Sequence, residues 1–439
     1  MNENRKTLGK LFFPIYLEYL MFMLTGAIDT FMVSSVGDQA VAAIGTANTY
    51  IGMFTLMFSV ISSGMMAVMT QNIGAGKPGI ARQARRIGAT FNGSLGCILA
   101  LFFVFQGNSI LELVGVADAL KEPAVLYLRI VGGGCFLSSI VPIFSGYLRA
   151  FGYTKQPLYG TIFGNIANLI LNAVFLYVFH MGVAGVAIAT VISRVLNLAI
   201  VCISSRVLVQ THDETNALPA FELFKQIVKI GFPAALEGAL YNFAMTLIMR
   251  FLNQMDSEGI NVAARSYAST ITNFAYCIGA ALAQANAIIT GWHIGAEEYD
   301  ECEKGTRKAT IIGILMAVLI DVILALSADI IMPFFTDNPV VVDLVQKLIF
   351  IDIVLEIGRV SNLVHVSALQ VSGDVIYPVV IATIFMFLCA VGGTYLFGIR
   401  LEMMVVGAYI GLAMDECVRA VAMIIRWKTG IWKTKRIVK

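Results

Sequence analysis

The stretch from Leu11 to Val36, LFFPIYLEYLMFMLTGAIDTFMVSSV, holds neither lysine nor arginine. As a helix rising 1.5 Å per residue it is about 39 Å long, more than the ~30 Å hydrocarbon core of a bilayer. Such a run is a membrane span. Eleven more apolar runs follow: Ala40–Asn72, Ala84–Phe105, Ala124–Ala150, Pro157–Phe179, Gly182–Val207, Ile227–Asn253, Val262–Gly291, Lys308–Ala328, Val341–Val371, Pro378–Phe397 and Val405–Trp427. The longer ones exceed the bilayer and tilt or protrude. Only 13 % of the 439 residues are charged and the mean hydropathy is +0.81, against about 25 % charged in a soluble domain. The expected fold class is an all-α membrane protein of twelve transmembrane helices.

The loops set an expected orientation, because lysine and arginine concentrate on the cytoplasmic side. One set of loops carries Arg5, Lys6 and Lys10, then Lys77, Arg82, Arg85 and Arg86, then Arg149 and Lys155, then Arg206, Lys225 and Lys229, then Lys304, Arg307 and Lys308, and ends in a basic tail from Arg426. The opposite loops hold little beyond Lys121 and Arg400 and are acidic at Glu112, Asp118, Glu122, Asp256, Glu258, Asp329 and Asp337. A multi-pass protein of the plasma membrane with both termini cytoplasmic is expected. The formal net charge of +2 gives no bulk attraction to nucleic acid, so none is expected as a partner. No small-residue cleavage site follows the first apolar run, so it reads as a start helix and not a removed signal. The seven cysteines and four histidines are scattered. They form no disulfide framework or metal motif, and no metal or cofactor is expected.

The chain repeats itself. IGAG at Ile73–Gly76 recurs as IGAE at Ile294–Glu297, Arg86 as Arg307, VAA at Val41–Ala43 as VAA at Val262–Ala264, and AFGYTKQP at Ala150–Pro157 as VSGDVIYP at Val371–Pro378, all at one constant offset of 221. PIYLE at Pro14–Glu18 matches PAALE at Pro233–Glu237 at an offset of 219. Each half has six spans, an even number, so both insert the same way round, as in transporters built from parallel repeats. The expected division is a six-helix lobe at 1–207, a polar cytoplasmic linker at 208–226 and a second six-helix lobe with its basic tail at 227–439.

Polar groups at membrane depth are expensive and mark function by default. In the first span Glu18 and Asp29 lie about three helical turns apart and point to nearly the same side. Glu18 reads either as a substrate or relay residue or as a group bonded to a neighbouring helix. In the fifth span Asn165, Asn168 and Asn172 share one face, and the sixth offers Thr190. Asp29 among amide and hydroxyl oxygens suits a proton or a sodium ion; the same asparagine face could instead bind helices together. In the second half Glu237 repeats Glu18, Asp321 lies within the ninth span, and Asp352, Glu356 and Arg359 share one face of the tenth. Asp415 and Arg419 are at i,i+4 in the twelfth. Acid and base this close suggest internal pairing, with a substrate or relay role as the alternative. His365 stands alone and reads as a packing or hydrogen-bonding residue. The 28 phenylalanines and 20 methionines suit a re-packable pocket as well as ordinary membrane core.

DTFMVSSVGDQAVAAIG (Asp29–Gly45), the IGAGK turn (Ile73–Lys77) with the basic stretch after it, LEIGRVSNLVHVSALQVSGD (Leu355–Asp374) and MDECVRAVAMIIRWKTGIW (Met414–Trp432), on a twofold repeat of six spans, resemble the multidrug and toxic compound extrusion (MATE) family. The resemblance covers nearly the whole chain. It implies two six-helix lobes in a V, a monomer in the lipid bilayer, and export of small organic cations against an inward sodium or proton gradient. It also implies a first-lobe cation site at Asp29, Asn168, Asn172 and Thr190. The family pattern has an aspartate where this chain has Asn172, so the site has one carboxylate fewer. For the second-lobe acidic site of other members, Glu237, Asp352 and Glu356 are the candidates.

The resulting expectation is a secondary active exporter of amphipathic organic cations, with a proton or sodium as coupling ion. The alternative is a lipid-linked oligosaccharide flippase of the same superfamily, whose pyrophosphate would want arginines such as Arg129, Arg194, Arg359 and Arg419. No paired-aspartate, HExxH or Ser/Lys motif points to an enzyme.

Overall fold

The computed structural model describes residues 7–113, 116–210, 218–255 and 259–438. The loop charges Arg5, Lys6, Asp256 and Glu258, with His212, Lys439, the side chain of Asp118 and the middle of the linker, lie outside the described residues.

Within them the chain is almost wholly helical, without strands. In the first half the helices are α1 (Leu8–Ser34), α2 (Asp38–Gly74), α3 (Pro78–Leu113), α4 in two pieces (Asp118–Tyr127 and Cys135–Ala150), α5 (Lys155–Ala173) and α6 (Gly182–Leu208). In the second they are α7 (Ala220–Met255), α8 (Ile260–Gly295), α9 (Tyr299–Leu326), α10 (Pro339–Ser372), α11 (Ile376–Phe385, continued by wider π turns to Arg400) and α12 (Met404–Lys428). The pieces of α4 meet at a bend of 42°. There a π turn, Leu128–Gly132, runs into Gly133 and Gly134, and such turns are a known cause of kinks.

All twelve expected positions hold a helix. Among the described residues eight are long and apolar enough to cross a membrane, and α4 makes nine if its bent pair is one span. The other three, α7, α10 and α12, have 36, 34 and 25 residues and are long enough. They miss on composition, because they carry Glu237, then Asp352, Glu356 and Arg359, then Asp415, Glu416 and Arg419. Polar load in this chain is concentrated on three helices of the second half.

The described chain forms two compact units. The first is Phe13–Phe232 and the second Thr7–Phe12 with Pro233–Lys439. The division crosses α1 and α7 just before Pro14 and Pro233, each of which interrupts its helix's hydrogen-bond ladder. In the first unit the beginning of α7 lies against α2. A Cβ on Gly64 would fall 1.9 Å from the Ile227 carbonyl oxygen, and one on Gly231 would fall 1.6 Å from that of Val60. Only glycine permits this approach, the usual way membrane helices gain contact without a hydrophobic driving force. The first core gathers Ala43, Ala47, Phe103, Leu128 and Val131, and the second Ile248, Ala268, Val345, Leu348 and Ala408. In the second unit α10 packs against α8, α9 and α12.

Candidate functional site

Asp29 lies on α1, half-buried, and α5 comes to it. The Asn172 side-chain amide donates to Asp29 Oδ1 at 3.0 Å and to Asn168 Oδ1 at 3.1 Å. Asn172 is fully buried, and its own Oδ1 has no hydrogen-bond partner among the described residues. Asn165, two turns earlier, donates to the Met21 carbonyl at 3.3 Å and ties α5 to α1. Asn165 and Asn172 thus both tie α5 to α1, and Asn172 also bonds Asn168 on its own helix. Thr190 donates its hydroxyl to the Val186 carbonyl at 2.8 Å. Together with Asn48 it lies within hydrogen-bonding reach of the Tyr127 hydroxyl, so its oxygen faces the same region. Arg194, one turn further along α6, stands beside Tyr127 and Cys135, and its buried Nη1 is unpaired.

This donor set has one carboxylate, amide oxygens and a hydroxyl. A single proton neutralises it, and a sodium ion would find only oxygens. Among the described residues no three acidic, histidine or cysteine side chains are placed to hold one metal ion. Tyr127 and Asn48 belong to no spacing pattern, so sequence reasoning missed them.

Glu18 is the partner of Arg149, whose Nη2 reaches its Oε2 at 2.6 Å. It is not brought to the Asp29 site by any hydrogen bond. Its repeat, Glu237, accepts from Gln370 at 3.3 Å, and Gln370 is the counterpart of Arg149 at the 221 offset. The same contact is thus an ion pair in one unit and a neutral donor to a carboxylate in the other.

Glu356, Arg359, Asp415 and Arg419 form a buried network in the second unit. Arg359 bonds Glu356 and reaches Glu416 at 3.8 Å. Arg419 pairs with Asp415 at 2.7 Å and with Glu416 at 2.9 Å. Asn362 donates to Glu416 at 3.0 Å, and Arg359 lies over the Tyr276 ring at 5.7 Å. Glu416 is the joint between both arginines. It went unnoticed in sequence because its neighbour Asp415 already supplied an i,i+4 partner for Arg419. Asp352 is buried beside Arg359, in reach of Thr272. His365 bonds the Ser361 carbonyl at 2.8 Å through Nδ1, a local contact within α10.

The MatE family model matches residues 14–174 and 233–396, two segments that begin at Pro14 and Pro233, the repeat pair. The "Uncharacterized transporter YisQ" of Bacillus subtilis is 31 % identical over 437 residues, covering 98 % of this chain and 95 % of that protein. The "Probable multidrug resistance protein NorM" of Thermotoga maritima is 23 % identical over 463 residues, covering 99 % and 94 %. Among solved structures, one described as "Outward-facing conformation of a multidrug resistance MATE family transporter of the MOP superfamily" has a TM-score of 0.88 at 20 % identity, covering 97 % of this chain and 95 % of that one.

Proposed function

The chain belongs to the MatE family, a family of multidrug and toxic compound efflux transporters, and from that premise we propose that it exports amphipathic organic cations in exchange for a proton or sodium ion held at Asp29. The observation that carries this reading is the carboxylate of α1, held by the Asn172 amide, whose own buried Oδ1 is left without a hydrogen-bond partner among the described residues. A membrane-embedded carboxylate is costly unless it holds something. Loaded with an ion, Asp29 is neutral and offers nothing to an organic cation; unloaded, it attracts one. For one gradient to drive the other, the two ligands must favour different arrangements of the protein. The basic loops support cytoplasmic termini in the plasma membrane.

The test uses everted membrane vesicles. Ethidium accumulation is followed under an imposed pH gradient and, separately, an imposed sodium gradient, for the wild type and Asp29→Asn. Accumulation driven by one gradient and lost in the variant is expected. Equal accumulation by Asp29→Asn at equal expression would overturn the coupling role of Asp29.

A further inference from the structure

α3 opens on PGIARQARR (Pro78–Arg86), which holds three arginines and no acid. Its counterpart at the 221 offset opens α9 as YDECEKGTR (Tyr299–Arg307), with three acids against two bases. Arg82 becomes Glu303, and Glu303 pairs with Lys433 at 2.7 Å. Other acids at this end of the second unit are paired in the same way: Glu301 with Lys304 at 3.0 Å, Asp374 with Arg426 at 2.7 Å, and Glu297 with Arg436. The tendency of lysine and arginine to collect on one side of a membrane acts on both units alike, so it does not account for this difference.

Three contacts gather the basic residues of the first unit. Arg85 Nη1 donates to Ser205 Oγ at 3.3 Å, and its guanidinium lies over the Tyr147 ring at 4.7 Å. This ties the start of α3 to the end of α6 and to α4. Leu218, just before α7, donates its N–H to Gln83 Oε1 at 3.1 Å, and its carbonyl accepts from the same side chain. Phe224 of α7 packs on Phe91 of α3 with ring centroids 5.1 Å apart. Arg82 and Arg86 of α3, Arg206 of α6, and Lys225 and Lys229 of α7 are thus carried on three adjoining helix ends, all within the first unit. Arg86, Arg206, Lys225 and Lys229 are exposed, and none of the five has an acidic partner among the described residues. Glu222, in the first turn of α7, is the only described acid on these ends. Ile203 and Phe221 are exposed as well, one turn before Arg206 and Lys225 and on the same helix faces. Basic side chains beside an exposed apolar surface suit a lipid, whose headgroup meets the cations while its chains cover the apolar groups.

We infer that the adjoining ends of α3, α6 and α7 form a binding surface for the phosphate headgroup of an anionic phospholipid, contacted by Arg86, Arg206, Lys225 and Lys229. A guanidinium offers a phosphate two parallel N–H donors, and lysine adds a point charge. The second unit, with much of its base paired to its own acids, presents a weaker surface. The exporter reading above enters only in placing the surface on the cytoplasmic side, where basic segments next to a span attract anionic lipid.

The test is a titration of the purified full chain in detergent with phosphatidylglycerol or phosphatidylcholine, read by native mass spectrometry. Tighter binding of phosphatidylglycerol is expected, and equal binding of the two lipids overturns the proposal. A variant carrying Arg86→Gln, Arg206→Gln, Lys225→Gln and Lys229→Gln is compared with one carrying Lys304→Gln, Arg307→Gln, Lys308→Gln and Lys428→Gln in the second unit. The first should lose about fivefold in phosphatidylglycerol affinity for each charge removed, and the second much less. Equal losses would mean that overall charge and not this surface attracts the lipid, which sinks the proposal. Displacement of the lipid by an equal concentration of inorganic phosphate rules out lipid as the occupant. Should the first variant fail to run as a single folded species on gel filtration, Lys225→Gln with Lys229→Gln is titrated in its place, and an affinity unchanged from wild type overturns the surface. Ethidium transport plays no part in these measurements, so failure of the exporter reading leaves the titration valid, and a failed titration leaves that reading untouched.

Discussion

Asn172 and Thr190 of the first unit correspond, at the offset of 221, to Gly393 and Gly411 of the second. In the first unit these positions hold a buried amide on Asp29 and a hydroxyl facing Tyr127. In the second, a Cβ on Gly393 would lie 2.9 Å from the Gly411 Cα, and one on Gly411 would lie 3.0 Å from the Cys389 carbonyl oxygen. Backbone has closed over the position, and Asp29 itself corresponds to the buried Ile248 at the 219 spacing. The reverse holds for the acidic network: Asp352 and Glu356 correspond to Val131 and Cys135, both fully buried in the first core. The duplicated helices keep their packing positions, because packing needs only comparable volume. Polar function is not duplicated, because each buried polar group requires its own partners and these arise on different helices in the two units.

That contrast can be attacked directly. The largest effect is expected from Arg359→Met, which leaves Glu356 and Glu416 short of a cation. Breaking a buried ion network in this way costs about 3–5 kcal/mol, read as a fall in the melting temperature of the purified protein. Ser138→Ala, at the corresponding position of the first unit, should change stability by less than about 0.5 kcal/mol. Equal effects would show that the second network is no more structural than the ordinary core opposite it.

A middle effect is expected at the closed position. Gly393→Val forces the α11–α12 contact apart and should cost about 1–3 kcal/mol as overpacking, with ethidium transport by the folded fraction kept. A stable Gly393→Val protein would mean the second unit has room for a site there. The smallest effect separates the two glutamates. Glu18→Gln loses the charge paired with Arg149 and should cost about 1 kcal/mol. Glu237→Gln faces only an amide at its direct contact and should cost less than that. Reversal of this order would place the stronger partner of Glu237 elsewhere than Gln370.

Much of the fold was legible without coordinates. The apolar runs located all twelve helices, since a run as long as a bilayer is thick leaves the backbone no other hydrogen-bonding solution than a helix. The repeat pair Pro14 and Pro233, at an offset of 219, is where the family model begins its two matched segments. Asp29 and the asparagine face were legible because helical periodicity fixes which side chains share a side. Arg149 as the partner of Glu18 and Tyr127 beside Thr190 were not, since nothing local links residues so far apart in the chain.

By itself, then, the sequence determined a helical membrane protein of two repeated halves, with its polar residues assigned to helices and to faces of helices. Periodicity and hydropathy act within one segment, and that is all they need. The tertiary structure alone decided which of those polar residues are partnered: Glu18 with Arg149, Glu416 between two arginines, and Asp321 with no hydrogen-bond partner among the described residues. Pairing depends on how neighbouring helices are rotated against one another, and that rotation is set by close packing of the many apolar and glycine positions that carry no charge of their own.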